Sequence, residues 1–181
     1  MLTIPQGEVL STLHQAEQIL SDAAPEVSFV RCAYFMENWA TSIKMVQEGG
    51  SFYSPITPLE WAMPMVAVKD IGQACANTAV GQDSLPESPY IVELHGPKTY
   101  SALDVKSAFE GIAGKEIQVK PVPREGLLGF FGAVFPAKTA KRFADMMLAA
   151  TPGGIMAEDP KPTGRYIYGK TELVEVLKEM Y

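Results

Sequence analysis

Two short stretches hold side chains with the types and spacing for chemistry. In the first, His14 precedes Glu17 by one helical turn, so both can meet on one helix face. A general base oriented by a carboxylate has that arrangement, and so does a surface histidine on an amphipathic helix. In the second, Phe29 to Cys32 is β-rich, Ala33, Tyr34, Phe35 and Met36 follow, and Glu37, Asn38 and Trp39 add a carboxylate, an amide and an indole. Ligands of open α/β sheets sit beyond the carboxyl ends of the strands. A strand ending at Cys32 would place Tyr34 and Phe35 against a planar ligand and let Asn38 donate and accept hydrogen bonds. Phe35, Met36 and Trp39 also suit a packed core. His95 stands before Gly96-Pro97 and reads as turn chemistry.

Several other chemistries are absent from the sequence. No GxGxxG or Walker A motif, Gly-x-Ser-x-Gly elbow, His-Glu-x-x-His or Cys-x-x-Cys occurs. Gly126, Gly129 and Gly132 recur every three residues, but Leu127, Leu128, Phe130 and Phe131 fill the gaps. A phosphate cradle needs open amides at a helix start, so this apolar stretch reads as a packed helix or pocket lid. Two histidines far apart offer no zinc site, and Cys32 and Cys75 read as buried free thiols. The net charge of -6 and the lack of a Lys/Arg run exclude a phosphate-backbone binder. Nothing resembles a membrane span or a secretion signal, and the expected location is cytoplasmic.

The elements that must position these residues alternate. A helix is expected over Val9–Asp22, a strand over Val27–Cys32 and a helix over Met36–Glu48 closed by Gly49-Gly50. An irregular loop should fill Ser51–Trp61, with an extended segment over Pro64–Val68. Asp70 is placed to cap a helix over Ile71–Ala79. A strand over Tyr90–Leu94 leads to a helix capped by Ser101 and Asp104 and ended near Ala113 by Gly114. Glu116–Val122 alternates like a strand with one face solvated, Ala137–Ala150 is helical, and Thr171 should cap a last helix. The fold class is α/β, a partial Rossmann-like fold of late βα units with a small carboxyl-terminal substrate subdomain. The expected division is 1–89, the Rossmann-like part, and 90–181, the substrate or partner part.

Arg31-Cys-Ala-Tyr-Phe-Met-Glu-Asn-Trp39 resembles the R-P-x-x-F-M-E-N segment of the NmrA-like proteins, atypical members of the short-chain dehydrogenase/reductase superfamily. Val66-Ala-Val-Lys-Asp-Ile-Gly72 is similar to their V-x-x-x-D-I-G/A turn, and Ile91 to Ser101 to I-x-L-x-G-P-x-x-Y-S. The likeness covers residues 8 to 122 and the helix from Thr171.

The resemblance implies an NAD(P)-binding oxidoreductase or a nucleotide redox-sensing regulator, with substrate or partner in a cleft between two domains. Cys32, Ala33, Tyr34 and Phe35 inherit the cofactor-facing role at the nicotinamide. Phe35, Asn38 and Trp61 would face substrate, and His14, Tyr34 and Glu37 are the catalytic candidates. Many members carry a Lys or His on the helix near His14, and this chain has no lysine there. A family member would begin with further βα units holding the glycine-rich loop, so NADP or NAD belongs to the intact member and this chain alone should bind it weakly or not at all. Their absence would bare the apolar faces of the first helix and strand, to be covered by a second copy or a protein partner. A non-redox isomerase or cyclase using His14, Glu17, Tyr34 and Glu37, or an interaction module, are the alternatives.

Overall fold

The computed structural model describes residues 8–80, 85–154, 156–157 and 165–181. The order is α1 (Glu8–Ala23), β1 (Ser28–Cys32), β2 (Tyr34–Phe35), a 3-10 turn (Met36–Trp39), α2 (Ala40–Gly49), β3 (Ser51–Ser54) and β4 (Met63–Val66). Then come α3 (Val68–Val80), β5 (Tyr90–His95), β6 (Thr99–Tyr100), α4 (Ala102–Ala113) and β7 (Gln118–Pro121). A second 3-10 turn (Arg124–Gly126), α5 (Leu127–Gly132), α6 (Ala137–Ala150), β8 (Arg165–Tyr168) and α7 (Leu173–Met180) complete it.

The main sheet is parallel in the order β1-β5-β8, with Val30 opposite Val92 and Leu94 opposite Ile167. Parallel strands are normally buried on both faces, and this sheet follows that rule on one side. Val30, Cys32 and Ile167 pack with buried Leu94 against Ala74 and Ile71 of α3. On α1, Glu17 accepts two hydrogen bonds from Arg31 of β1, at 2.9 and 2.8 Å. The rest of α1 is poorly covered: Leu13, Ile19 and Leu20 are 59%, 67% and 51% exposed. β1 is also an edge strand, with β5 on one side and no strand on the other among the described residues.

The larger core lies beyond the sheet. Trp39, Phe52 and Phe109 meet edge to face with ring centroids 5.7 and 5.5 Å apart. Met36, Val46, Ile117, Met147 and Leu177 surround them. Burying side chains of this size supplies most of the apolar driving force.

The expected elements recur with informative departures. The capping box is present: Ser101 Oγ accepts from Asp104 N, and Asp104 accepts from Ser101 N. Gly50 and Gly114 end α2 and α4 in the left-handed region, with φ of 59° and 64°. Residues 36–48 begin as a tight 3-10 turn before the α-helix, because the chain must bend sharply off β2.

The 51–61 loop is a correction. Ser51–Ser54 form β3, paired in parallel with β7, and it is the partner strand rather than local propensity that makes it extended. Asp70 and Thr171 are a second correction, since neither caps its own helix. Asp70 sits inside α3, and its carboxylate accepts from Thr171 N and Oγ1 at 2.9 and 3.0 Å. The main sheet takes β1 from before residue 89 and β5 and β8 from after it. β8 has no counterpart among the sequence expectations.

Candidate functional site

The carboxyl end of β1 is held from two sides. Ala33 N donates to Leu94 O of β5 at 2.9 Å. One residue on, the chain leaves that sheet, and Tyr34 and Phe35 pair in parallel with Met65 and Val66 of β4. Gly96 lies where the strands cross. A Cβ there would fall on the Met65 carbonyl and press on the Met36 methyl, so only glycine fits the crossing. This clamp fixes the backbone from Ala33 to Met36.

The side chains on this clamp have different fates. Phe35 is 41% exposed, an apolar ring face open to a ligand. Tyr34 is half-buried, and its ring meets the edge of Trp39 at 6.4 Å. Burial pushes its phenol up to about 12, against the hydrogen bond with Asn38, which works the other way. At neutral pH Tyr34 is therefore a hydroxyl that can donate or accept a hydrogen bond, not a phenolate base. Asn38 is exposed. Cys32 Sγ donates to Val30 O at 3.6 Å and burial raises its thiol, whereas Cys75, expected to be buried, is exposed.

Glu37 performs the capping that sequence reasoning gave to Asp70. Its Oε1 accepts from Val68 N, the first residue of α3, at 2.8 Å, where the helix dipole favours a negative charge. Its Oε2 is buried and has no partner among the described residues. Trp39 Nε1 is likewise buried without a partner. Trp61 is half-buried, donates to Ala150 O at the end of α6 at 3.1 Å, and packs against the larger core, as Tyr34 also does.

His14 stands apart from this group. It is exposed, and its Nε2 lies 3.1 Å from Gln18 Nε2. Glu17 is committed to Arg31, whose guanidinium holds that carboxyl below its ordinary range, with His14 a minor influence. The structure thus brings Cys32, Ala33, Tyr34, Phe35, Glu37 and Asn38 together through one strand end, and Trp61 through the shared core. It shows no contact joining His14 to them.

Two features escaped sequence reasoning. Gly96 carried a signal, the Gly-Pro after a strand, but its partner at Met65 is remote in sequence. Tyr100, which is buried, donates to Glu172 Oε2 at 2.8 Å and accepts from Leu173 N at 3.3 Å, while Lys98 Nζ pairs with the same carboxylate at 3.0 Å. Burial and the neighbouring carboxylate raise the Tyr100 phenol, so this group acts as a cap for α7.

No protein-family model and no curated protein matches the sequence. Solved structures do match. A nucleoside-diphosphate-sugar epimerase from Staphylococcus aureus is 17% identical, with a TM-score of 0.65 over 91% of this chain and 56% of its own. An isoflavone reductase is 13% identical, with a TM-score of 0.63 over 96% of this chain and 60% of its own. The leucoanthocyanidin reductase of Vitis vinifera, in a binary complex with NADPH, is 15% identical, with a TM-score of 0.60 over 92% of this chain and 58% of its own. The fold is shared with these proteins. At such identities the likeness concerns architecture alone, a partial Rossmann-like α/β fold, and the chain spans less than two thirds of each relative's length. Among the described residues no helix is long and apolar enough to cross a membrane, and no group of His, Cys, Asp and Glu could hold a metal ion.

Proposed function

We propose that this chain carries the nicotinamide and substrate wall of an NmrA-like NAD(P)H-dependent oxidoreductase or nucleotide redox-sensing regulator. The observation that carries this reading is the clamped end of β1, which fixes the exposed Phe35 and Asn38 and the neutral, hydrogen-bonded Tyr34 hydroxyl within a few residues of the strand end. The fit to a dinucleotide is one-sided. The ring end suits a nicotinamide, but among the described residues nothing suits the phosphates. Gly126, Gly129 and Gly132 lie within the second 3-10 turn and α5, rather than in an open turn before a helix.

When bound, the nicotinamide would supply or accept hydride. This chain's residues would support it by stacking Phe35 on the ring, offering the Asn38 amide as donor and acceptor, and using the Tyr34 hydroxyl, kept protonated, as a hydrogen-bond donor. Glu37 is a positioning residue in this reading, because its carboxylate is committed to the α3 amide. That commitment, with Glu17 held by Arg31, argues against the isomerase reading. A second copy or a protein partner covers the apolar stripe of α1 and the free edge of β1.

The test is a nicotinamide-fluorescence titration of the 181-residue chain. Reduced nicotinamide mononucleotide and NADPH should bind with equally weak affinity, and Phe35→Ala should weaken both. Much tighter NADPH binding would reveal a phosphate site that this reading lacks, and indifference to Phe35→Ala would remove the ring site.

A further inference from the structure

A groove of about 390 Å³ runs between α6 and the segment formed by the second 3-10 turn and α5. Its residues on α6, Ala137, Lys141, Ala144 and Leu148, follow one helical stripe, so the groove extends along most of that helix. The volume falls within the range of small-molecule sites. Leu127 and Ala144 are buried in its floor, whereas Leu128, on its wall, is 54% exposed. Large apolar side chains left open beside a concave surface favour an apolar occupant.

The charges at the rim narrow the choice. Lys141 and Asp145 pair with each other at 2.6 Å, which leaves Arg124 and Glu125. Arg124 directs Nη1 to both Thr151 Oγ1 and Pro152 O, each at 3.0 Å, and Thr151 Oγ1 in turn donates to Met147 O. Both protons of that nitrogen are thereby used, and the guanidinium is held against the end of α6. Nε and Nη2 meet no acceptor among the described residues. A guanidinium fixed along one edge is preorganised to take a carboxylate in bidentate fashion on the other. Glu125 opposes an anion, so it tunes the affinity without replacing the fork.

We propose that this groove binds a small amphipathic carboxylate, with its apolar chain along α6 and its head group on Arg124. The proposal does not depend on the function proposed for the β1 strand end.

The experiment uses the whole chain, with anilinonaphthalene sulfonate as the fluorescent occupant and decanoate, decanol and decyltrimethylammonium as competitors. Decanoate should displace the dye at the lowest concentration and the ammonium compound at the highest. Arg124→Gln should weaken decanoate about tenfold and leave decanol unchanged, as expected for loss of a charge-assisted fork. Glu125→Gln should tighten decanoate. Ala137→Phe, at an exposed position that plugs the groove mouth, should abolish displaceable dye binding without altering the melt. Equal displacement by all three competitors, or dye binding untouched by Ala137→Phe, would place the dye on another apolar surface such as α1 and overturn the proposal.

Discussion

At the scale of single residues, the site turns on what each polar group is already doing. Glu37 has the position of a catalytic acid but the bonds of a helix cap. The two roles give opposite expectations for two substitutions. Glu37→Gln retains an acceptor for Val68 N, so the melting temperature should stay near that of the natural chain. Glu37→Ala removes it and should cost about 1 kcal/mol, the usual value of a lost N-cap. Thermal melts of the two variants decide this, and an unchanged melt for Glu37→Ala would mean that the cap contributes nothing. Tyr34 carries the same lesson, because its type advertised a proton-transfer group while its burial keeps it protonated.

Among elements, the long-range fastenings matter most. Asp70 joins α3 to the segment after β8, accepting from Thr171, and Gly169 passes directly against its carboxylate. A methyl group at Gly169 would collide with that carboxylate. Gly169→Ala should therefore destabilise by about 1–3 kcal/mol, the range for overpacking. Because the obstacle is a side chain, adding Asp70→Ala should cost less than the sum of the two single changes. Strict additivity in denaturant melts would contradict the contact. These fastenings also show where sequence reasoning stopped. The Ser101–Asp104 capping box was legible because both partners lie within one turn. Asp70 was misassigned because its partner is 101 residues away. β3 was hidden because Ser51–Ser54 has no apolar period and becomes a strand only beside β7. At the site, the run from Cys32 to Asn38 was visible as a strand end, whereas the Gly96 crossing that clamps it required the tertiary fold.

For the whole molecule, α1 and the outer edge of β1 leave surface uncovered. α1 exposes Leu13, Ile19 and Leu20, and β1 is an edge strand with no strand on its outer side among the described residues. Edge strands with adjacent apolar surface tend to pair with another chain. The proposed covering partner predicts concentration-dependent association of the isolated chain in sedimentation velocity, reduced by Leu20→Glu, which places a charge in the stripe. A monomer at every concentration, unchanged by that substitution, would mean that α1 needs no cover.

The central claim is that the end of β1 is the nicotinamide wall of a cleft. Backbone-amide NMR of the chain during titration with reduced nicotinamide mononucleotide tests it most directly. The account predicts saturable shifts centred on Ala33, Tyr34, Phe35 and Asn38, with the amides of α5 and α6 unmoved. Shifts confined to α5 and α6, or no shift at the strand end, would contradict it.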